Sequence, residues 1–337
     1  MDDVSIVIPT YRRPDALEAT LDRLLKLDYP AEHLEVIVVD DGADAETQRL
    51  VERFAAERPS FRYVAQQQQG AAAARNHGAR EASGDVLIFL DDDMLVEPDH
   101  VREHLATRAR FGDCLVNGHW EFSAEALEAM AGSPFGEFRI WVENWVKEGI
   151  PKTPLEGSAV QPTDVTAANL SIRRGTFWEL GGFDENFPFA GCEDQDFSYR
   201  AEQAGHPFVY NEDIRLLHND KRLNLRQFCA RQQQGAATAV VLAAKHPEKF
   251  ARRPLIIENT PITRADPPRV VVKKLVKRVA AFGPVLGMIH RVIDWLERRH
   301  PDSRALRRAY WAACGIYIFR GVRDGLKLVD GRSALPA

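Results

Sequence analysis

The segment Asp85–Asp93 reads DVLIFLDDD, an apolar run that ends in three consecutive aspartates. An uninterrupted apolar run such as Val86–Leu90 is typical of a strand that is buried on both faces. Two comparable runs precede it, Val4–Pro9 (VSIVIP) and Glu35–Val39 (EVIVV). Segments with helical spacing of apolar residues separate these runs, so the sequence predicts an α/β domain whose sheet is largely parallel.

The same alternation extends over the first part of the chain and then changes. We expect a further strand over Phe61–Val64 and helices over Pro14–Leu27, Ala45–Glu57 and Ala71–Ser83. From about residue 115 to 220 the periodicity is irregular, and we assign this stretch to the second half of the same domain. From 221 the pattern is helical, so we predict a first domain over 1–220 and a helical region over 221–337.

Within that helical region, one apolar face runs from Val272 to Leu296. We expect it to belong to a single helix that Pro284 kinks, because proline removes a backbone donor and clashes with the preceding turn. A last helix is predicted over Ser303–Val329.

The net charge of −5 conceals a strong asymmetry along the 337 residues. Residues 251–337 carry 18 Lys/Arg and 7 Asp/Glu, a net charge of +11, whereas residues 1–250 carry 26 and 42, a net charge of −16. Basic helical faces are usually solvated; alternatively, this region docks on an anionic membrane leaflet, holds an acidic acceptor or forms a dimer contact. Nothing in the composition indicates a nucleic-acid partner.

Four scattered cysteines without a CxxC pair argue against a disulfide framework or a zinc ribbon. The N-terminus lacks the pattern of a signal peptide. The longest uncharged stretches of the basic region, Val279–Ile289 and Ala309–Phe319, have 11 residues each, whereas a spanning helix needs roughly 20. We therefore expect a cytoplasmic protein, with peripheral contact at the inner membrane face left open.

The triplet Asp91-Asp92-Asp93 follows directly after a buried strand, where three carboxylates repel one another unless a cation or solvent compensates them. Oxygen ligands of this kind suit Mg²⁺ or Mn²⁺, ions that commonly bridge to phosphates. The alternative is a solvated acidic turn. The position at the carboxyl end of a sheet strand, where such sheets bind ligands, favours the metal.

A second acidic pair, Asp40-Asp41, ends the second strand and can contact a base or ribose, or can cap a turn. Arg75 lies on the predicted third helix, where its guanidinium is either solvated or binds a base or a phosphate. No glycine-rich phosphate loop follows the first strand, which argues against a dinucleotide oxidoreductase or a P-loop NTPase.

A third acidic cluster, GCEDQD, contains Glu193 and Asp194 about 100 residues after the triplet. A carboxylate there can act as a general base or can cap the helix that follows. His218 comes after a strand-like segment, where a lone histidine is more often a packed residue than a ligand.

These motifs, in this order, resemble the family 2 glycosyltransferases of the GT-A fold. The matching stretches are SIVIPTYRRPDALEATLDRLL, EVIVVDDGA, QGAAAARNHGAREASGDVLIFLDDDM, AANLSIRRGTFWELGGFDENF and GCEDQDFSYRAEQAG, which cover about residues 4–220. The resemblance implies a Rossmann-like mixed sheet flanked by helices, a nucleotide-diphosphate sugar donor, a divalent cation (Mn²⁺ or Mg²⁺) and inversion at the anomeric carbon. The usual serine after Asp-Asp-Gly is Ala43 here.

The resemblance also implies roles for individual residues. Donor-binding positions are Pro9, Thr10, Tyr11, Asp40, Asp41, Arg75, Asp91 and Asp92. Asp93 and Asp91 occupy the outer DXD positions, Asp93 as the main metal ligand, although three consecutive aspartates leave the choice between Asp92 and Asp93 open. His218 stands where some members place a further metal ligand.

For the chemical step, the resemblance implies that Asp194 is the catalytic base, with Glu193 beside it, and that Asn169 and Trp178 lie on the acceptor side. The base removes a proton from the acceptor as it attacks, and a single displacement inverts the configuration. The alternatives are a nucleotidyltransferase acting on a sugar phosphate, and a non-catalytic module that binds carbohydrate or membrane. The acceptor is left open among a glycan, a lipid-linked molecule and a small molecule.

Overall fold

In the computed structural model, each of the three apolar runs forms a strand at the centre of one mixed sheet. The structure describes residues 2–148, 152–220 and 224–330. Within these residues the sheet has ten strands, β1 (Val4–Thr10), β2 (Leu34–Asp40), β3 (Phe61–Ala65), β4 (Val86–Leu90), β5 (Met94–Val96), β6 (Leu115–Phe122), β7 (Lys152–Pro154), β8 (Ala159–Pro162), β9 (Asn169–Arg173) and β10 (Phe208–His218). Their order is β3-β2-β1-β4-β9-β6-β10-β8-β7, and β5 pairs with β10.

The chain divides into two units. The first comprises Met1–Glu128, Val146–Pro188 and Glu193–Asp220, and the second comprises Ala129–Trp145, Phe189–Cys192 and Lys221–Ala337. The sequence pattern predicts that residues 129–145 and 189–192 belong to the first domain. The structure groups them with the helices that follow residue 220, because aromatic side chains of the earlier segment enter the core of the second unit.

Helices account for most of the remaining described residues. They are α1 (Pro14–Leu24), α2 (Ala45–Glu57), α3 (Ala71–Glu81), α4 (His100–Phe111), α5 (Ala124–Met130), α6 (Pro134–Glu148), α7 (Arg174–Glu179), α8 (Glu193–Gln203), α9 (Leu225–Lys245), α10 (Pro247–Phe250), α11 (Pro254–Ile257), α12 (Pro268–Ala280), α13 (Gly283–Arg299) and α14 (Arg304–Asp330). The predicted helical region after residue 220 is thus present as α9–α14.

The sheet of the first unit has a core on each face, which explains why its central strands lack polar alternation. Ile6 and Ile8 of β1 pack in a cluster that includes α1 and α2, whereas Val7 packs in a second cluster that includes α3, α7 and α8. In β4, Ile88 belongs to the first cluster and Phe89 to the second. Successive residues of a strand point to opposite faces, so a strand covered on both sides must be apolar throughout.

A glycine brings α3 close to the sheet. A Cβ atom added to Gly78 would lie 2.4 Å from Val7 Cγ1 and 3.0 Å from Val39 Cγ2. Real atoms do not approach that closely, so only glycine permits this distance between α3 and strands β1 and β2. The depth of α3 in turn fixes where its polar side chains emerge.

The second unit is built on the contact of α9 with α14, which run in the same direction, and its core includes Phe135, Phe138, Leu225, Leu306 and Tyr310. Small residues bring the two long helices together. A Cβ on Gly321 would meet the carbonyl oxygen of Gln233 at 2.1 Å, which shows that the α14 backbone lies directly against α9.

The prediction of one helix kinked at Pro284 is wrong. The chain forms two helices, α12 and α13, whose axes are bent by 88°. Pro284 lies in the first turn of α13, where the missing N–H has no helical partner to lose and the fixed φ suits the start of a helix. No individual helix in the described parts of the chain has the length and apolarity of a membrane span, and only the bent pair α12–α13 has both when taken together.

Candidate active site

Three parallel strands of the first unit end side by side. The register pairs Thr10 of β1 with Asp40 of β2, and β4 runs parallel to β1 on its other side. The residues that follow, Tyr11, Asp41 and Asp91, therefore emerge at the same edge of the sheet. This is the edge at which α/β sheets bind their ligands, as predicted from the sequence.

Asp92 points inward from this edge and is almost completely buried. One of its carboxylate oxygens accepts a hydrogen bond from Thr10 Oγ1 at 2.8 Å, and the other accepts one from Arg13 Nη1 at 2.7 Å. Its carbonyl oxygen accepts from Thr20 Oγ1 at 2.8 Å. Burial raises the pKa of Asp92 to about 7, although the charge of Arg13 opposes the shift. Asp92 thus ties the loop between β4 and β5 to Thr10 and Arg13.

Asp93 forms a group with His218 and Asp220, whose ligating atoms all lie within 4.8 Å of one another. The Nε2 atom of His218 is 3.5 Å from Asp93 Oδ1, and Arg13 Nη2 donates to Asp93 Oδ2 at 2.7 Å. Burial opposes ionisation of Asp93, but His218 and Arg13 outweigh it and lower the pKa of this carboxyl. An ionised carboxylate is the form that ligates a metal.

Pairing between two strands places this group. Residues of β10 pair antiparallel with β5, so that His218 lies opposite Met94, and the backbone N–H of Asn219 donates to the carbonyl of Asp93 at 2.8 Å. The His218 ring stacks on Phe122 with a centroid separation of 5.9 Å and an interplanar angle of 11°. The histidine is therefore held in one orientation beside the end of the aspartate triplet.

The donor set fits a divalent cation. It contains two carboxylates and one imidazole, and the Nδ1 atom of His218 is a buried nitrogen without a hydrogen-bond partner among the described residues. Oxygen donors suit both Mg²⁺ and Mn²⁺, whereas an imidazole suits transition metals better than Mg²⁺.

Arg75 joins two acidic clusters that are distant in sequence. Its Nη2 atom donates to Asp91 Oδ1 at 2.7 Å, and its Nη1 atom donates to Glu193 Oε1 at 2.9 Å. Burial opposes the charge of Arg75, but Asp91 and Glu193 outweigh it and raise the pKa of the guanidinium. The arginine thereby brings the first turn of α8 to the carboxyl end of β4. A direct contact of Arg75 with a base stays a prediction.

Asp194 follows Glu193 in the first turn of α8 and is half-buried. Burial and the charge of Glu193 raise its pKa to about 7, while the charge of Arg75 opposes the shift. Its carbonyl oxygen accepts from Ser198 Oγ at 2.8 Å, which fixes the backbone of the turn. A carboxyl with a pKa near neutrality can accept a proton and release it again, as a general base must.

The pair Asp40-Asp41 shapes the neighbouring loops. Asp40 accepts from Tyr63 and from the backbone N–H groups of Gly42 and Asp44, over distances of 2.6 to 3.1 Å. Asp41 accepts three further hydrogen bonds, from Gln66 Nε2 at 2.8 Å, Gln69 N at 2.7 Å and Gly70 N at 2.8 Å. The turn-capping alternative thus describes what these carboxylates contact, and base or ribose contact stays a prediction.

The other predicted donor-side residues lie at the same edge. Pro9 is half-buried in β1. The Tyr11 ring lies against the Cα side of Gly42, where an added Cβ would be 3.0 Å from Cε2, and its hydroxyl donates to Gln68 Oε1 at 3.2 Å. The Tyr11 ring therefore lies beside the Asp40-Asp41 turn, which Tyr63 also contacts through Asp40.

The two predicted acceptor-side residues are packed within the unit. Asn169 is buried at the start of β9, where its Oδ1 lies 3.0 Å from His104 Nε2 and its Nδ2 has no partner among the described residues. Trp178 packs against Phe177 at a centroid separation of 4.9 Å, with the guanidinium of Arg80 5.6 Å from its ring. Their acceptor role stays a prediction.

Sequence reasoning missed three residues that build the site. Arg13 holds two of the three aspartates, and Asp220 completes the group with His218. Asn76 donates to the Phe183 carbonyl at 2.7 Å and accepts from the Phe183 N–H at 2.9 Å, which ties the GGFDE loop to α3. The His-x-Asp spacing at 218–220, which puts both side chains on one side of an extended segment, was a usable signal for Asp220.

Comparisons with known proteins bear on the family and the fold. Residues 5–132 match the family described as Glycosyl transferase family 2. Validoxylamine A glucosyltransferase from Streptomyces hygroscopicus subsp. jinggangensis is 31% identical over 233 residues, which are 62% of this chain and 54% of that protein. The chain spans about half the length of the first curated relatives it matches.

Solved structures show the fold. Mannosyltransferase PcManGT from Pyrobaculum calidifontis, in complex with GDP-Man and Mn²⁺, superimposes with a TM-score of 0.60 at 18% identity over 96% of this chain and 87% of that one. GalNAc-T7 with UDP, GalNAc and Mn²⁺ gives a TM-score of 0.53 at 16% identity over 75% of this chain and 52% of that one. The predicted GT-A fold is confirmed by these structures. The family match over residues 5–132 and the curated glycosyltransferase relatives support the predicted resemblance to glycosyl transferase family 2.

Proposed function

We propose that this chain transfers a sugar from a nucleotide-diphosphate donor to an acceptor by a single, inverting displacement that needs Mn²⁺ or Mg²⁺. One observation carries the proposal. Arg75 connects Asp91 to Glu193, so the carboxylate that can act as base, Asp194, belongs to the same site as the candidate metal group. The raised pKa of Asp194 supports a catalytic role over a non-catalytic module, because perturbed carboxyls cluster at functional sites.

In this proposal, Asp93, His218 and Asp220 hold the cation. The bound cation neutralises charge on the departing diphosphate, which is a Lewis-acid contribution. The imidazole in the donor set favours Mn²⁺ over Mg²⁺. Arg13 fixes the orientation of Asp93 and keeps it ionised, and Asp92 secures Arg13 and Thr10 on the other side.

Asp194 takes the proton of the acceptor hydroxyl or amine as that atom attacks the anomeric carbon. Glu193 does not itself transfer the proton in this proposal, because its carboxylate is paired with the buried Arg75. It is a positioning residue that holds the first turn of α8. Alignment of donor, acceptor and base by these rigid elements supplies much of the expected rate.

The donor class rests on the chemistry of the site and on relatives. The structure of PcManGT contains GDP-Man and that of GalNAc-T7 contains UDP, and we extend to this chain only the shared class, a nucleoside diphosphate sugar. For the acceptor, the proposal leaves three classes open: a glycan, a lipid-linked molecule and a small molecule.

The test is release of nucleoside diphosphate from a panel of nucleotide sugars with added Mn²⁺, with and without EDTA. We expect metal-dependent release of the diphosphate, and loss of that release in the Asp194→Asn variant when an acceptor is supplied. Release of pyrophosphate would instead support the nucleotidyltransferase alternative. Absence of turnover with every donor, together with donor binding, would support the non-catalytic module.

A further inference from the structure

Helix α12 exposes an apolar face. Val272, Leu275, Val276 and Val279 are between 49% and 65% exposed. Their spacing of three, four and seven residues puts them on one side of the helix. The other side, which includes Val270 and Lys274, is buried. The apolar side chains that would ordinarily face the core therefore face solvent in this helix.

Helix α13 continues the pattern beyond the bend. Met288, Val292 and Trp295 are 62%, 49% and 50% exposed and share one side, whereas Leu286 and Ile293 are buried on the other. Phe282, at the break between the helices, is 64% exposed. We call these eight side chains the apolar stripe: Val272, Leu275, Val276, Val279, Phe282, Met288, Val292 and Trp295.

Positive charge accompanies the apolar stripe. Residues 268–299 contain eight Lys/Arg and two Asp/Glu, a net charge of +6. Arg291, Arg298 and Arg299 are exposed on α13, and Lys273 and Arg278 are exposed on α12. Long basic side chains can lay their stems along an apolar surface while their heads reach phosphate groups.

We propose that the apolar stripe docks on the surface of a bilayer that contains anionic lipids. A helix that lies in the membrane interface has this composition, with Trp, Phe and aliphatic residues on the buried side and Lys/Arg at its borders. Anionic headgroups attract each nearby basic residue, an attraction that salt weakens.

The charge also argues against the main competing occupant, a second copy of the chain. A two-fold dimer contact through the apolar stripe would bring two identical patches together, each with a net charge of +4 once Glu258 and Asp266, which pair with Lys273 and Lys274, are counted with residues 268–299. Anionic lipids neutralise that charge, whereas a second copy doubles it.

The test measures flotation of the full chain with vesicles of phosphatidylcholine alone and of phosphatidylcholine mixed with phosphatidylglycerol. We expect binding to the mixed vesicles at low salt, weaker binding as salt rises, and little binding to phosphatidylcholine alone. The double variant Val276→Asp/Phe282→Asp should lower partitioning by about tenfold or more, because both side chains would enter the interface. Arg291→Glu/Arg298→Glu should lower binding only to the anionic vesicles.

Leu328→Asp is the matched control, since Leu328 is 41% exposed on α14, outside the apolar stripe. It should bind vesicles as the unchanged protein does. All variants should keep the circular dichroism spectrum. Vesicle binding is measured without any turnover, so the outcome does not depend on the proposed function.

Two results would overturn the proposal. One is absence of binding to the mixed vesicles at low salt. The other is an unchanged vesicle partition of Val276→Asp/Phe282→Asp accompanied by dissociation of a dimer in light scattering, which would assign the apolar stripe to a second copy.

Discussion

Arg75 on α3 and Glu193 at the start of α8 form a buried ion pair, with Nη1 and Oε1 2.9 Å apart and both residues about 5% exposed. The two residues are separated by 118 positions. A second donor of the same guanidinium reaches Asp91 at 2.7 Å. A charge placed at such depth is tolerated only because its partners are fixed, so Arg75 is both a structural requirement and the link between the aspartate triplet and the start of α8.

Arg75→Met should lower the free energy of unfolding by about 3–5 kcal/mol, because it removes one member of a buried ion pair with Glu193. It should also lower kcat by roughly a hundredfold, since α8 and Asp194 lose their fixed position. Denaturant unfolding and steady-state kinetics measure the two effects.

The double variant Arg75→Met/Glu193→Gln separates the two effects. Removing both charges should restore much of the lost stability, because no buried charge remains unpaired. The defect in kcat should persist. If kcat recovered along with stability, the role of Arg75 would be limited to supporting the fold.

The pH dependence of transfer should follow Asp194. Its pKa is raised to about 7 by burial and by Glu193, so the carboxyl is protonated below that value and cannot accept a proton. We expect kcat/KM to rise with pH through about 7 and then level off. Asp194→Asn should lower kcat by about 10²–10⁴-fold while donor binding persists. A pH profile that is flat between 6 and 8 would contradict this assignment.

The same shift has a consequence for stability. The folded-state pKa of Asp194 lies above the value of 3.8 expected when the chain is unfolded, so between these values the folded state binds more protons. This group therefore destabilises the fold as pH rises through that window. Asp194→Asn should increase the denaturant midpoint at pH 8 and change it little at pH 4. An equal change at both pH values would assign the effect to packing instead of charge.

The candidate metal ligands Asp93, His218 and Asp220 can be tested by measuring Mn²⁺ affinity directly. Asp220→Asn should weaken Mn²⁺ affinity by about tenfold or more, because the amide is a neutral and poorer ligand than the carboxylate. Titration calorimetry, or the paramagnetic signal of free Mn²⁺, measures the affinity without any turnover.

Asp302→Asn is the control for that experiment, since Asp302 is an exposed carboxylate in the second unit and its removal changes the net charge equally. It should bind Mn²⁺ as the unchanged protein does. Equal affinities for Asp220→Asn and Asp302→Asn would exclude Asp220 as a ligand.

The sequence predicted those features of the fold and of the site that depend on short, contiguous segments. Val86–Leu90 and the aspartates that follow it are adjacent, so one buried strand fixes both its own place in the sheet and the edge at which the triplet lies. The approach of Asp220 to Asp93 depends instead on the pairing of β5 with β10, which residue spacing does not encode. Arg13 escaped notice for the same reason: its partners lie 79 and 80 positions away.

The local sequence pattern also did not predict the break between α12 and α13 at Pro284. Nor did it predict that residues 129–145 pack in the second unit. Proline can kink a helix or begin one, and apolar residues at helical spacing on both sides of Pro284 fit either outcome. Likewise, Phe135 and Phe138 carry no mark of which core they join. Their packing with Tyr310 and the other side chains of that core assigns them to the helical unit.

Gly78→Ala should destabilise the first unit by about 1–3 kcal/mol, because its Cβ would lie 2.4 Å from Val7 Cγ1 in a tightly packed layer. The added methyl must push α3 away from β1, which also moves Arg75 on the same helix and should lower kcat. Gly175→Ala is the control: Gly175 is helical in α7 and an added Cβ there meets nothing within 4 Å. That change should be neutral or stabilising by up to roughly 1 kcal/mol. Thermal unfolding and kcat are measured for both variants. Equal stabilities and equal kcat values for Gly78→Ala and Gly175→Ala would show that the position of α3 does not depend on the close approach at Gly78.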